Sequence, residues 1–116
     1  MLVEVEQLDG ICVVRIKGRF DTGAEPEYVR AKADEIKSAN RGKMLVDMSE
    51  MPYIGSSGIG FIMDIYTSVS KKAGSRFVLV GLKPLVREVF DLTRVSTLIP
   101  IAADAAAGMS YLQAAP

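Results

Sequence analysis

Two short stretches at the start of the chain alternate with period two: Val3 and Val5 against Glu4 and Glu6, then Val14 and Ile16 against Arg15 and Lys17. Period two is the signature of half-buried strands, and Asp9-Gly10 between them is a two-residue hairpin turn, so the chain opens with an antiparallel pair. From Ala24 the pattern changes to helical spacing. Pro26 suits a first turn, Val29, Ala33, Ile36 and Ala39 or Asn40 share one face, and Gly42 ends the element. Lys43 to Met48 and Phe77 to Leu82 are short, nearly continuous apolar runs, the pattern of central strands covered on both faces. Between them Ser57 to Lys72 reads as a helix stopped by Gly74. Pro84 opens a shorter helix with a stripe of Leu85, Val86, Val89, Phe90 and Leu92. Leu98 to Ile101 is a candidate edge strand blunted by Pro100, and Asp104 caps a final Ala-rich helix carrying Met109 and Leu112.

The predicted order is β-β-α-β-α-β-α-β-α, an α/β fold whose mixed, mainly parallel sheet of four to five strands is flanked by about four helices. Strands joined by helical crossovers run parallel. Their carboxyl ends therefore share one sheet edge, where open α/β folds place their sites. The segments at that edge are Gly18 to Thr22, Met48 to Ser57 and Gly81 to Lys83.

Composition narrows what such an edge can do. One hundred and sixteen residues make one domain, with no repeat, linker or charge block to divide it. Fourteen Lys and Arg balance fourteen Asp and Glu, so no net charge draws nucleic acid or an anionic membrane. No histidine is present, which removes Ser-His and Cys-His nucleophilic pairs and the usual zinc ligand sets. The single Cys12 lies in an apolar run and has no disulfide partner, as expected in a reducing compartment. The N-terminus lacks the pattern of a secretory signal, and no apolar run approaches the roughly 20 residues of a membrane span. The expectations are a cytoplasmic protein, no membrane insertion, no metal and no cofactor.

The segment from Asp47 to Gly60 leaves a buried strand and brings two hydroxyls to a helix start. Gly55 and Gly60 have P-loop spacing, but Phe61 and Ile62 stand where Lys and Ser/Thr would hold phosphate and magnesium. A dinucleotide fingerprint fails for want of its third glycine at Met63, and a nucleophile elbow for want of its glycines and a histidine. Two uses of the hydroxyls remain. Ser56 or Ser57 can cap the helix, with Ser56 the better placed, worth about 1 kcal/mol; or an exposed hydroxyl can accept a phosphoryl group, whose charge the helix start tolerates. Asp21 on the same edge would face such a phosphate with like charge. Met48, Met51, Tyr53 and Ile54 are apolar enough to suit a partner interface, although some of this loop must be buried and core filling is the favoured reading of both methionines. Asp47 reads as a hydrogen-bond acceptor at a strand end, so catalysis is not expected.

Taken together, Asp47-Met48-Ser49, the Tyr53-Ile54-x-Ser56-Ser57-Gly58-Ile59-Gly60 turn, Gly18-x-x-Asp21-Thr22 and Gly81-Leu82 before a short helix resemble the STAS domain of bacterial anti-sigma factor antagonists. The resemblance spans residues 1–116 as a single domain. It implies a partner-switching regulator: the unphosphorylated antagonist binds an anti-sigma factor that is also a serine kinase, of the histidine-kinase-like ATPase type, and so frees the sigma factor. Phosphorylation of the second serine, here Ser57, separates the pair, and a serine phosphatase restores it. Asp21, Thr22, Met51, Tyr53, Ile54, Gly55, Ser56, Ser57 and Gly58 are the partner-binding residues so implied. Gly55 stands where the family usually carries Asp, deleting a carboxylate beside the phosphoacceptor. That favours the alternative of an unswitched STAS subunit in a signalling scaffold or lipid-transport complex.

Overall fold

The computed structural model describes residues 1–21 and 23–114. Asp9 and Gly10 both adopt left-handed backbone, φ 52° and 78°, as a tight two-residue turn requires. They join β1 (Leu2–Leu8) to β2 (Ile11–Lys17) as an antiparallel pair. Then follow α1 (Pro26–Ala39), β3 (Lys43–Asp47), α2 (Ser56–Ser70), β4 (Arg76–Val80), α3 (Pro84–Leu92), β5 (Ile101–Ala102) and α4 (Ala105–Gln113). The five strands lie in sequence order, with β2 to β5 parallel.

Alternation along the central strands separates two cores. Cys12, Val14, Ile16, Met44, Val46, Phe77 and Leu79 face the larger core, under α1, α2 and α3. Ile11, Val13, Leu45, Val78 and Val80 face the smaller one, under α4 with its buried Leu112. Helix α4 comes close to the sheet at Gly108, where a Cβ would lie 2.5 Å from Val80 Cγ1. Its start is capped as expected: Asp104 Oδ1 accepts the Ala107 amide at 2.9 Å. Asp104→Ala is expected to cost about 1 kcal/mol in urea denaturation, with an unchanged midpoint as the contrary result.

Two elements depart from the pattern. The α3 stripe is only half buried: Val86 and Phe90 are enclosed, whereas Leu85 and Leu92 are 53% and 76% exposed. At about 100° per residue the five apolar positions cover an arc of about 160°, with Phe90 and Leu92 at its opposite ends, more than one sheet contact can cover. The last strand begins at Ile101 rather than Leu98. Arg94 turns left-handed at φ 62° and starts a 3-10 turn, Val95–Thr97, whose bonds take the Thr97 and Leu98 amides. Pro100 has no amide to donate, but its carbonyl receives Leu79 N at 3.0 Å and leads into the strand.

Cys12 is fully buried, and burial pushes its thiol pKa up, which makes it an inert core side chain. Among the described residues no helix is long and apolar enough to cross a membrane.

Candidate functional site

The segments after β2 and β3 are laced together by backbone. Gly18 N donates to Glu50 O at 2.9 Å, Phe20 N to Tyr53 O at 3.1 Å, and Gly55 N to Phe20 O at 2.7 Å. Phe20 and Ile54 form an isolated parallel bridge. The third segment joins at Gly81, where a Cβ would meet Ser49 Cβ at 2.9 Å, and Met48 N donates to Val80 O at 3.0 Å. Asp47 is a structural acceptor, its Oδ1 taking the Ser49 amide at 2.9 Å.

Beneath the backbone lies an apolar footing. Phe20 is fully buried and its ring lies 5.1 Å from that of Phe61 on α2. Ile54 and Phe20 close over Gly58, where a Cβ would come within 2.5 Å of Ile54 Cγ1 and 3.0 Å of Phe20 Cγ. Only glycine allows the first turn of α2 to press on the loop so closely. Met48 and Met51 are also wholly buried.

These placements correct part of the expected surface. Met51, Ile54 and Gly58 are buried and offer a partner no side-chain surface; they set the loop's shape. Tyr53 and Gly55 are half-buried, Ser56 and Ser57 exposed, and Asp21 half-buried beside them. Thr22 lies outside the described residues. The helix cap is also different from the expectation. Gly55 is the N-cap, with no side-chain capping bond, and Ser56 and Ser57 are the first helical residues, so neither hydroxyl caps the helix. The helix thus starts one residue earlier than expected, directly after Gly55, whose amide is taken by Phe20 O.

Asp21 is held firmly. Its Oδ1 accepts the Gly23 amide at 3.0 Å and its Oδ2 the Arg19 Nε at 3.2 Å. These two bonds, with the amide the larger effect, hold the carboxyl below the usual aspartate range. The Arg19 guanidinium lies 4.7 Å above the Tyr53 ring, tying the two loops together from outside. At Gly55 the backbone is extended, φ −104° and ψ −172°, and any residue can adopt it. A Cβ there would sit 3.5 Å from Asp21 Cα and Cβ, an ordinary contact. Gly55→Asp is therefore expected to fold normally and to stay within about 1 kcal/mol of the native stability, because glycine and aspartate differ by only tenths as caps and Asp21 opposes the new charge. A loss well beyond that in urea denaturation would show that glycine is required for shape.

The patterns did not foretell a groove of about 590 Å³ between α1 and α2, with Ser57 at its wall and Phe20, Val29, Ala33 and Phe61 among its apolar lining. Its far end is bridged by Lys37 Nζ and Asp64 Oδ2 at 2.8 Å. Among the described residues no group of three metal-ligating side chains occurs.

The family model of the STAS domain matches residues 3–107. The chain belongs to the STAS domain family. This STAS domain is 26% identical over 100 residues to the anti-sigma F factor antagonist of Paenibacillus polymyxa, covering 85% of this chain and 84% of that protein. In structure it is similar to an anti-sigma factor antagonist from Mycobacterium paratuberculosis, with a TM-score of 0.86 at 20% identity over 97% of this chain and 94% of that one. It is also similar to SpoIIAA in its unphosphorylated form, with a TM-score of 0.75 at 18% identity over 97% of this chain and 96% of the other. The expected STAS fold, a mixed sheet flanked by four helices, is thus the fold observed.

Proposed function

We propose that this STAS domain is an anti-sigma factor antagonist acting in the cytoplasm, a binding switch rather than an enzyme. Its partner is an anti-sigma factor that is a serine kinase of the histidine-kinase-like ATPase type. The observation that carries this is the placing of Ser57: an exposed hydroxyl in the first turn of α2, on a rigid loop pair whose anchors Phe20, Met51 and Ile54 are buried. Asp21, Tyr53, Gly55, Ser56 and Ser57 form the surface offered to the partner, with Thr22 in the same segment.

In the switching step the Ser57 Oγ attacks the γ-phosphorus of ATP. The new O–P bond replaces the β–γ bridge bond, the hydroxyl proton leaves with the kinase's base, and ADP departs. A serine phosphatase restores the hydroxyl by hydrolysis. Because Ser57 lies at the positive end of α2, the roughly −1.5 to −2 charge is tolerated by the fold while the surface changes sign.

The absence of a carboxylate at Gly55 favours a second reading, an unswitched subunit of a signalling scaffold or lipid-transport complex. Affinity capture with the native chain, followed by mass spectrometry, separates the two. A histidine-kinase-like ATPase whose binding is then reproduced with purified components is the expected result. Transporter subunits or scaffold paralogues in its place would overturn the proposal.

A further inference from the structure

Helices α1 and α2 both return from parallel strands on one face of the sheet, so they run side by side in the same direction. The Lys37–Asp64 bridge at 2.8 Å marks a point where they meet. Seven residues back along each helix is about two turns and returns to the same face. That step leads from Lys37 to Arg30 on α1 and from Asp64 to Ser57 on α2, and both residues line the intervening groove. Arg30 and Ser57 thus lie two turns back from that ion pair, on the two walls of one groove. Ser57 is neutral, however, and among the described residues Arg30 makes no salt bridge.

We propose that Arg30 is the intramolecular receptor for a phosphoryl group on Ser57, pinning α1 to the first turn of α2 in the modified state. This rests on the assignment of Ser57 as phosphoacceptor and adds what the phosphate does within the chain. A guanidinium can take two phosphate oxygens at once, so it can orient the group as well as offset its charge. The new bridge would repeat the Lys37–Asp64 contact two turns along and span the groove over Ala33 and Gly60. Partner-facing surface would thus change in shape as well as in sign.

The other charges facing this point are accounted for. Asp21, from the loop after β2, repels a phosphate, but Arg19 already lies on its carboxylate at 3.2 Å. Asp34, one turn further along α1, lines the same groove but makes no salt bridge with Arg30. On α2, Asp64 is occupied by Lys37. Arg30 is the groove-lining cation left to answer a phosphate.

The test installs phosphoserine at position 57 of the full chain by genetic code expansion, so no kinase is needed, and follows its second ionisation by phosphorus NMR across pH. A cation beside the phosphate favours the dianion. The ionisation is expected about half a pH unit lower in the native background than in Arg30→Gln, with Arg30→Lys in between. Lys32→Gln, which removes a cation of the same helix paired to Glu35 at 3.0 Å, is expected to leave it unchanged. The same ionisation in the native background and in Arg30→Gln would overturn the receptor. Failure of a kinase to modify Ser57 is a separate result that bears only on the acceptor assignment.

Discussion

Phosphoserine at position 57 is expected to weaken the complex with the anti-sigma factor kinase by several hundred-fold. Ser57 is exposed in the first turn of α2, in the surface formed with Tyr53 and Asp21. A partner that covers this surface must strip water from whatever Ser57 carries. A hydroxyl is desolvated cheaply, whereas a dianion placed in an interface built for a neutral group costs about 3 to 4 kcal/mol, which corresponds to that loss of affinity. Asp21 adds to the effect, because an aspartate carboxylate beside the site is anionic at neutral pH. Isothermal titration calorimetry with unmodified and phosphoserine-57 protein measures the change. A loss below about tenfold would mean that Ser57 lies outside the contact. Ser57→Asp brings one charge instead of nearly two and is expected to fall between the native and modified proteins.

Phe20→Ala is expected to be the most damaging single change at the site, costing about 3 to 5 kcal/mol of folding free energy. The ring is fully buried, lies tilted against Phe61 with centroids 5.1 Å apart, and lies against Gly58 at the start of α2. Its loss leaves a cavity beneath the loop pair, and the backbone bonds from Phe20 to Tyr53 and Gly55 hinder collapse into that space. A domain stable by about 5 to 15 kcal/mol would retain little margin. Urea denaturation measures it, and a cost below about 1.5 kcal/mol would show that the loops hold their shape without the ring. Weakened partner binding should accompany the loss, since Ser57 and Tyr53 are positioned from the same footing.

Features that depend on neighbours in the chain were legible before the fold. The Asp9-Gly10 turn, Pro26 in the first turn of α1 and the Asp104 cap each act within a few residues and stand where the patterns put them. Features set by distant segments were not legible. Whether Met51 and Ile54 fill the core or face a partner is not decided until Phe20, more than thirty positions away, pairs with Ile54 and both side chains are found buried. The same pairing takes the Gly55 amide at the N-cap, and Ser56, as the first helical residue, does not take the capping role expected for it. The excess breadth of the α3 stripe was visible in the spacing, but which side would be buried depended on where the sheet lies. The α1–α2 groove needs the relative register of two helices, which no single helix encodes. Even so, an apolar Phe20 in an otherwise polar turn between Arg19 and Asp21 was a local sign of an anchor.

The most direct test of the switch is intact-mass analysis after incubation with the purified partner kinase and ATP. One phosphate is expected on the native protein and on Ser56→Ala, located at Ser57, and none on Ser57→Ala. A Ser57→Ala protein phosphorylated to full stoichiometry, or a native protein that binds the active kinase and takes up no phosphate, would contradict the switch.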